Sequence, residues 1–176
     1  MIDQTPQQKS PIRETDDAAR ALGKSLLANA RFAALATLEP ETGDPLASRI
    51  AFGLDPDGRP VSLMSMLAFH TGALLSQPKC SLLVGEPGKG DPLARPRISL
   101  QTIALPIART SPDHAEIRAH YLKQHPKAAL YVDFGDFLFV RFRIRSAYLN
   151  GGFGKAYILE AADLAAAATG GHLPRN

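Results

Sequence analysis

The sequence predicts an α+β fold, mainly β with a few helices, in which short antiparallel strands form a barrel. Three observations carry this expectation. Apolar segments of strand length follow one another from Phe32 to Ala108, Pro- and Gly-rich turn chemistry separates them, and strands do not alternate with long helices through this region. At 176 residues the chain suits one domain, and 45% hydrophobic with 21% charged residues excludes wholesale disorder.

Residues 1–14 mix Gln, Pro, Lys and Ser without period and read as a mobile arm. Thr15-Asp16-Asp17 is a helix start with acidic residues in its first turn, followed by Ala19, Leu22, Leu26 and Ala30 at helical spacing. Candidate strands follow at Phe32–Leu38, Leu46–Leu54, Pro60–Met66, Cys80–Glu86 and Arg97–Ala108. Glu41-Thr42-Gly43-Asp44-Pro45 and Asp55-Pro56-Asp57-Gly58 place proline and glycine where tight turns need them, which predicts two hairpins in succession. Thr71–Gln77 is a short helical piece ended by Pro78, and Ser111-Pro112 caps a helix running to about His125. From Phe137 to Arg145, Phe142 and Ile144 alternate with Arg141, Arg143 and Arg145, as in a strand with one wet face. A last strand, Lys155–Leu159, precedes an alanine-rich helix at 163–168, so the barrel domain is expected over 15–169 with a tail at 170–176.

Composition removes several function classes. No apolar run approaches the roughly 20 residues that span a bilayer, and the Gln-rich start lacks a basic-then-apolar signal layout, so a cytoplasmic protein without a membrane partner is expected. The lone Cys80, within strand-like neighbours, points to burial rather than redox chemistry. A net charge of +3 with scattered basic residues gives no nucleic-acid footprint.

The segment from Ser48 to Arg97 holds the densest polar chemistry. Arg49 lies inside an apolar run, where it needs either a partner such as Glu86, a solvent-facing position, or an anionic ligand. Ser65, His70 and Thr71 lie where a strand ends and a helix begins, which suits both capping and anion binding. Together these residues make a candidate phosphate cradle. The Gly85–Arg97 loop fails the Walker pattern, since two residues instead of four precede its Gly-Lys pair, but Lys89, Arg95 and Arg97 stay secondary candidates. Asp133-Phe134-Gly135 is a chance match to the kinase tripeptide, as no catalytic-loop His-Arg-Asp precedes it. His114, His120 and His125 are spaced by six and five on one predicted helix, so they read as surface histidines and no metal site is predicted. The glycines in Asn150–Tyr157 make either a bulged turn or a close backbone approach to a flat ligand.

Ser48-Arg49, Ser65 through Leu74, the Gly85–Arg97 loop and Asn150–Tyr157 together resemble the pyridoxamine 5′-phosphate oxidase-like flavoproteins, in the branch related to haem-utilisation proteins, over about residues 16 to 165. The resemblance implies a split β-barrel of the FMN-binding type, a homodimer with the cofactor at the subunit interface, and a small-molecule substrate. It implies phosphate contacts from Arg49 and Ser65 joined by His70 and Thr71, and backbone of Ile50, Ala51 and Phe52 against the isoalloxazine ring. It also implies Gln101 as a ring contact, with Gly152, Phe153 and Lys155 near flavin or substrate. The chain ends in Gly170-Gly171-His172-Leu173-Pro174-Arg175-Asn176, unlike the Arg-x-His tail of the oxidases, which argues against pyridoxamine phosphate as substrate. The expected function is therefore an FMN-dependent oxidoreductase of open substrate, in which only His70 is nominated for proton chemistry. The competing reading is a haem- or tetrapyrrole-binding protein without flavin turnover, using the same cleft and a histidine ligand.

Overall fold

The computed structural model describes residues 11–165. Ile12–Arg13 (β1), in the expected arm, pairs parallel with the last strand, the one departure from antiparallel order among the described residues. Helix α1, Asp17–Asn29, starts where Asp16 accepts a hydrogen bond from the Ala19 N–H at 2.7 Å, and it buries Ala19, Gly23 and Leu27.

Strands β2, Phe32–Leu38, and β3, Pro45–Ala51, form the first expected hairpin. The predicted run Leu46–Leu54 is interrupted at Phe52, whose N–H donates to Arg31 O at 2.9 Å instead of to a neighbouring strand. Strands β4, Gly53–Leu54, and β5, Pro60–Ser65, make the second hairpin, closed by Asp55 and Gly58. Gly58 has φ +76°, a conformation glycine adopts without strain.

Helix α2, Phe69–Ser76, begins two residues earlier than expected. Strands β6, Lys79–Val84, and β7, Arg97–Ile107, flank the basic loop. Helix α3, His114–Gln124, starts after the expected cap: the Ser111 hydroxyl donates to the Asp113 carboxylate and accepts no helix N–H. Strand β8, Phe137–Asn150, runs five residues past its predicted end. Strand β9, Ala156–Glu160, leads into α4, Ala161–Leu164, which begins two residues before the predicted helix at 163–168; the second half of that predicted helix and the whole tail at 170–176 lie outside the described residues.

The sheet runs β1-β9-β8-β7-β6-β2-β3, with β5 joined to β8 and β4 to β5. Strands β3 and β5 touch without a ladder between them, so the barrel is split along that seam. Its interior is filled by Leu35, Phe52, Leu82, Leu100, Phe142 and Leu149, all fully buried. Strand β8 changes partner on one side, pairing β5 through Phe137–Arg141 and β9 through Ser146–Asn150. A second cluster outside the barrel, including Val61, Ile117, Tyr121 and Phe139, seats α3.

Arg141 ties these parts together. Its Nε donates to Asp55 Oδ2 and an Nη to Asp113 Oδ2, both at 2.7 Å, linking β8 to the β4–β5 turn and to the start of α3. The Ser111 hydroxyl and then the Arg141 guanidinium hold the Asp113 carboxyl down at about 2. A carboxyl lowered on folding stabilises above its unfolded value, near 3.8, and loses that contribution as pH falls toward 2. The urea midpoints of wild type and Asp113→Asn are accordingly expected to differ above about pH 4 and to converge toward pH 2. A gap that stays constant across this range would refute it.

Candidate functional site

The seam between β3 and β5 opens, at the end where β2 turns into β3, into a cleft of about 800 Å³. Pro45 and Leu46 form one wall, and the segment joining β5 to α2 forms the other. That segment is pinned by Met66 N–H donating to Asp136 O at 2.6 Å and Ala68 N–H donating to Ser65 O at 3.2 Å. It nevertheless presents Leu67 at 85% and Phe69 at 89% exposure, with Met66 half open beside them. Side chains of this size are buried when nothing else claims them, so this wall has the character of a binding surface. Glu39, Glu41 and Asp44 rim the far side with negative charge.

The expected phosphate residues do not converge there as a cradle. Ser65 Oγ donates to Asp136 Oδ2 at 2.8 Å and accepts the Leu67 N–H at 3.1 Å, so the hydroxyl is engaged and a carboxylate stands beside it. Thr71 is fully buried in α2, and its hydroxyl finds no partner among the described residues. An inward-facing hydroxyl of this kind costs about 1–3 kcal/mol and is closed to a surface ligand. His70 is half-buried, and burial lowers its imidazole from the usual value, leaving the ring neutral at physiological pH. It follows Phe69 in α2 without lining the cleft.

Arg49 is exposed on the outward face of β3, where its guanidinium lies 5.2 Å from the Phe32 ring centroid. No ion pair with Glu86 or any other carboxylate forms among the described residues. Arg49 ends a continuous cross-strand row, Arg49–Ala34–Leu83–Ser99–Tyr148–Ile158, that crosses the sheet from β3 to β9. Leu83, Tyr148 and Ile158 in that row are each more than two-fifths exposed, giving the outward face an apolar ridge. Gln101 lies in the next row, its Oε1 accepting from Ser146 Oγ at 3.0 Å.

The backbone expected to meet a flat ring is already bonded within the protein. Ala51 O accepts from Ser62 Oγ at 2.7 Å, and Phe52 O lies 2.8 Å from His125 Nε2. The side chains of Ile50 and Phe52 face the core. His125, expected on the surface, is instead half-buried and stacked on Tyr121, and burial lowers its pKa. His114 also departs from the surface reading, packing edge-on against Phe139.

Gly152, Phe153 and Lys155 occupy the β8–β9 turn. Gly152 N–H donates to Asn150 Oδ1 at 3.0 Å and Gly151 N–H to Lys155 O at 2.7 Å, leaving Phe153 fully exposed at the tip. Gly152 needs its glycine, with φ +105° and a Cβ that would meet Ala94 O at 3.1 Å. Ser65 pairs with Phe137 at the opposite end of β8 from this turn. At about 3.3 Å per residue, the two groups are separated by roughly 40 Å along the strand.

Two residues of the region escaped sequence reasoning. Asp136 lies beside the Asp133-Phe134-Gly135 match, and its signal is a carboxylate directly preceding a strand that pairs with that of Ser65. Met66, the last residue of the expected strand Pro60–Met66, lies just past the end of β5 on the cleft wall.

A family model for the CREG β-barrel matches residues 13–165. The chain belongs to the CREG β-barrel family. Among relatives of this family member, the non-canonical heme oxygenase HOZ, chloroplastic, of Arabidopsis thaliana is 37% identical over 116 residues, 66% of this chain and 35% of the plant protein. The chain thus spans about a third of that curated relative's length. A heme binding protein from Mycobacterium smegmatis is 27% identical, with a TM-score of 0.76 over 87% of this chain and 61% of its own. HutZ, the heme storage protein of Vibrio cholerae, shares the fold at 19% identity, with a TM-score of 0.60 over 74% of this chain and 89% of its own.

Proposed function

We propose that this CREG β-barrel protein binds haem at its seam, as a homodimer joined through the outward sheet face. The sequence likeness to a heme oxygenase over 116 residues carries this reading, and the likeness to a heme binding protein supports it. The residues suit the group: Leu46, Leu67 and Phe69 offer apolar area to a flat macrocycle, and the Met66 thioether on the same segment is an iron-ligating group. Bound haem would supply iron-centred redox chemistry. Arg49, the cation nearest in sequence to the cleft wall that lacks a carboxylate partner, is the group for a propionate, since Glu39, Glu41 and Asp44 repel one at the rim. The apolar ridge through Leu83 and Tyr148 is the surface a second copy would cover.

An FMN-dependent oxidoreductase, the rival reading, asks for a phosphate beside Ser65, where Asp136 already accepts its hydroxyl and would repel the anion. Titration separates the two. Haem is expected to give a saturable Soret band that Arg49→Gln weakens about tenfold, the scale of one charged hydrogen bond. A yellow protein as isolated, or FMN bound more tightly than haem, would overturn this reading. Leu83→Glu at the centre of the ridge is expected to yield monomers by sedimentation, and a dimer that survives it would remove this face from the interface.

A further inference from the structure

Strand β8 leaves one stretch of its edge open. On the side away from β7 it pairs β5 up to Arg141 and β9 from Ser146, so residues 142–145 have no strand beside them among the described residues. The opening is a cavity of about 440 Å³, bounded by the β4–β5 turn and by α4. A free strand edge presents unpaired N–H and C=O groups, and successive residues alternate in which direction they offer them. Leu105, Ile144 and Leu164 supply apolar wall, while Arg59, Arg141 and Arg143 bring three guanidinium groups to the same space.

Those three cations differ in how far they are committed. Arg141 is held by Asp55 and Asp113. Arg59 pairs with Asp57, which also lines the cavity, at 3.3 Å with both side chains more than half exposed; such pairs contribute little and exchange readily. The Arg143 guanidinium has no acidic partner and no side-chain hydrogen bond among the described residues, and the residue is exposed. A cation left free beside an apolar pocket and an open strand edge complements one chemical class.

We propose that this gap in the sheet is a binding site for a small amphipathic carboxylate, with Arg143 taking the carboxylate and Leu105, Ile144 and Leu164 taking the apolar tail. Arg59 joins the anion by releasing Asp57. The site is separate from the seam, since its residues come from β7, β8, the β4–β5 turn and α4. A ligand of this size matches the volume, within the ordinary range for small-molecule sites of about 300–1,000 Å³.

Isothermal titration with decanoate tests this. Saturable binding at one site per chain is expected, about tenfold or more weaker in Arg143→Gln and lost in Arg143→Glu, where the charge is reversed on an exposed side chain. Decanol, with the same tail and no charge, is expected to bind at least tenfold more weakly than decanoate to the wild type and equally in Arg143→Gln. Unaltered circular dichroism of both variants shows that the fold is kept. No decanoate binding, or binding that neither variant changes, would overturn the proposal.

Discussion

Asp55→Ala is expected to destabilise the protein by about 3–5 kcal/mol, the range for removing one partner of a buried ion pair. The side chain is fully buried and does three things at once: it accepts Arg141 Nε at 2.7 Å, Asp57 N–H at 3.0 Å and Arg59 N–H at 2.9 Å. Alanine would leave Arg141 with Asp113 alone and strip the β4–β5 turn of its internal acceptor. Asp55→Asn separates the contributions, because an amide oxygen keeps the turn bonds while losing the charge, so its loss is expected to be intermediate. Urea unfolding at pH 7 measures both, with the midpoint falling and the slope unchanged. A loss below about 1 kcal/mol for alanine would show that the buried charge is not what joins the turn to β8.

Phe139→Ala is expected to cost about as much, roughly 3–5 kcal/mol, through the cavity it opens. Phe139 lies on β8 opposite Leu63 on one side and Ile107 on the other, and its ring is met edge-on by Tyr121 at 5.3 Å and His114 at 5.5 Å. Those two rings are the inner face of α3. Removing the phenyl therefore loosens the helix before the barrel, and for a domain of this size the melting temperature should drop by about 10 °C. The near-ultraviolet signal of Tyr121 should fade with it. A drop of less than about 2 °C would mean that α3 is held by other contacts.

Local chemistry was what the sequence disclosed. Phe32–Leu38 alternates buried and exposed positions and ends in turn residues, and its predicted bounds match the observed ones. The two hairpins follow from Gly43 and Gly58, because positive φ is a property of the residue itself. Partnerships across the chain were not legible. Arg141, Arg143 and Arg145 read as one wet face, yet Arg141 is drawn inward by Asp55, which lies 86 positions away. The end of β8 was misplaced because Ser146–Asn150 owes its extended form to pairing with β9 and β7, including an irregularity at Gln101/Thr102.

The candidate site divides along the same line. The strand-to-helix junction at Ser65 was found, because free backbone groups at such junctions are a local property. Which way each hydroxyl faced was not, and Thr71 turned inward while Ser65 went to Asp136. Burial of His125 was hidden for the same reason, since its partner Phe52 O lies 73 positions away, between β3 and β4.

The seam, together with the partner change along β8, sets an order of events in time. Val61 must find Arg141, 80 positions later, before β5 has a neighbour other than the two-residue β4. During synthesis the four long strands β2, β3, β6 and β7 can emerge and pair among themselves, but closure onto β5 waits for β8, the segment ending at Asn150. Until then β5 is an unsatisfied edge, and loop-closure entropy over such a distance makes this a slow step. Chains halted before Asn150 are therefore the ones to expect in aggregates, where β5 pairs with a neighbour's strand instead of its own.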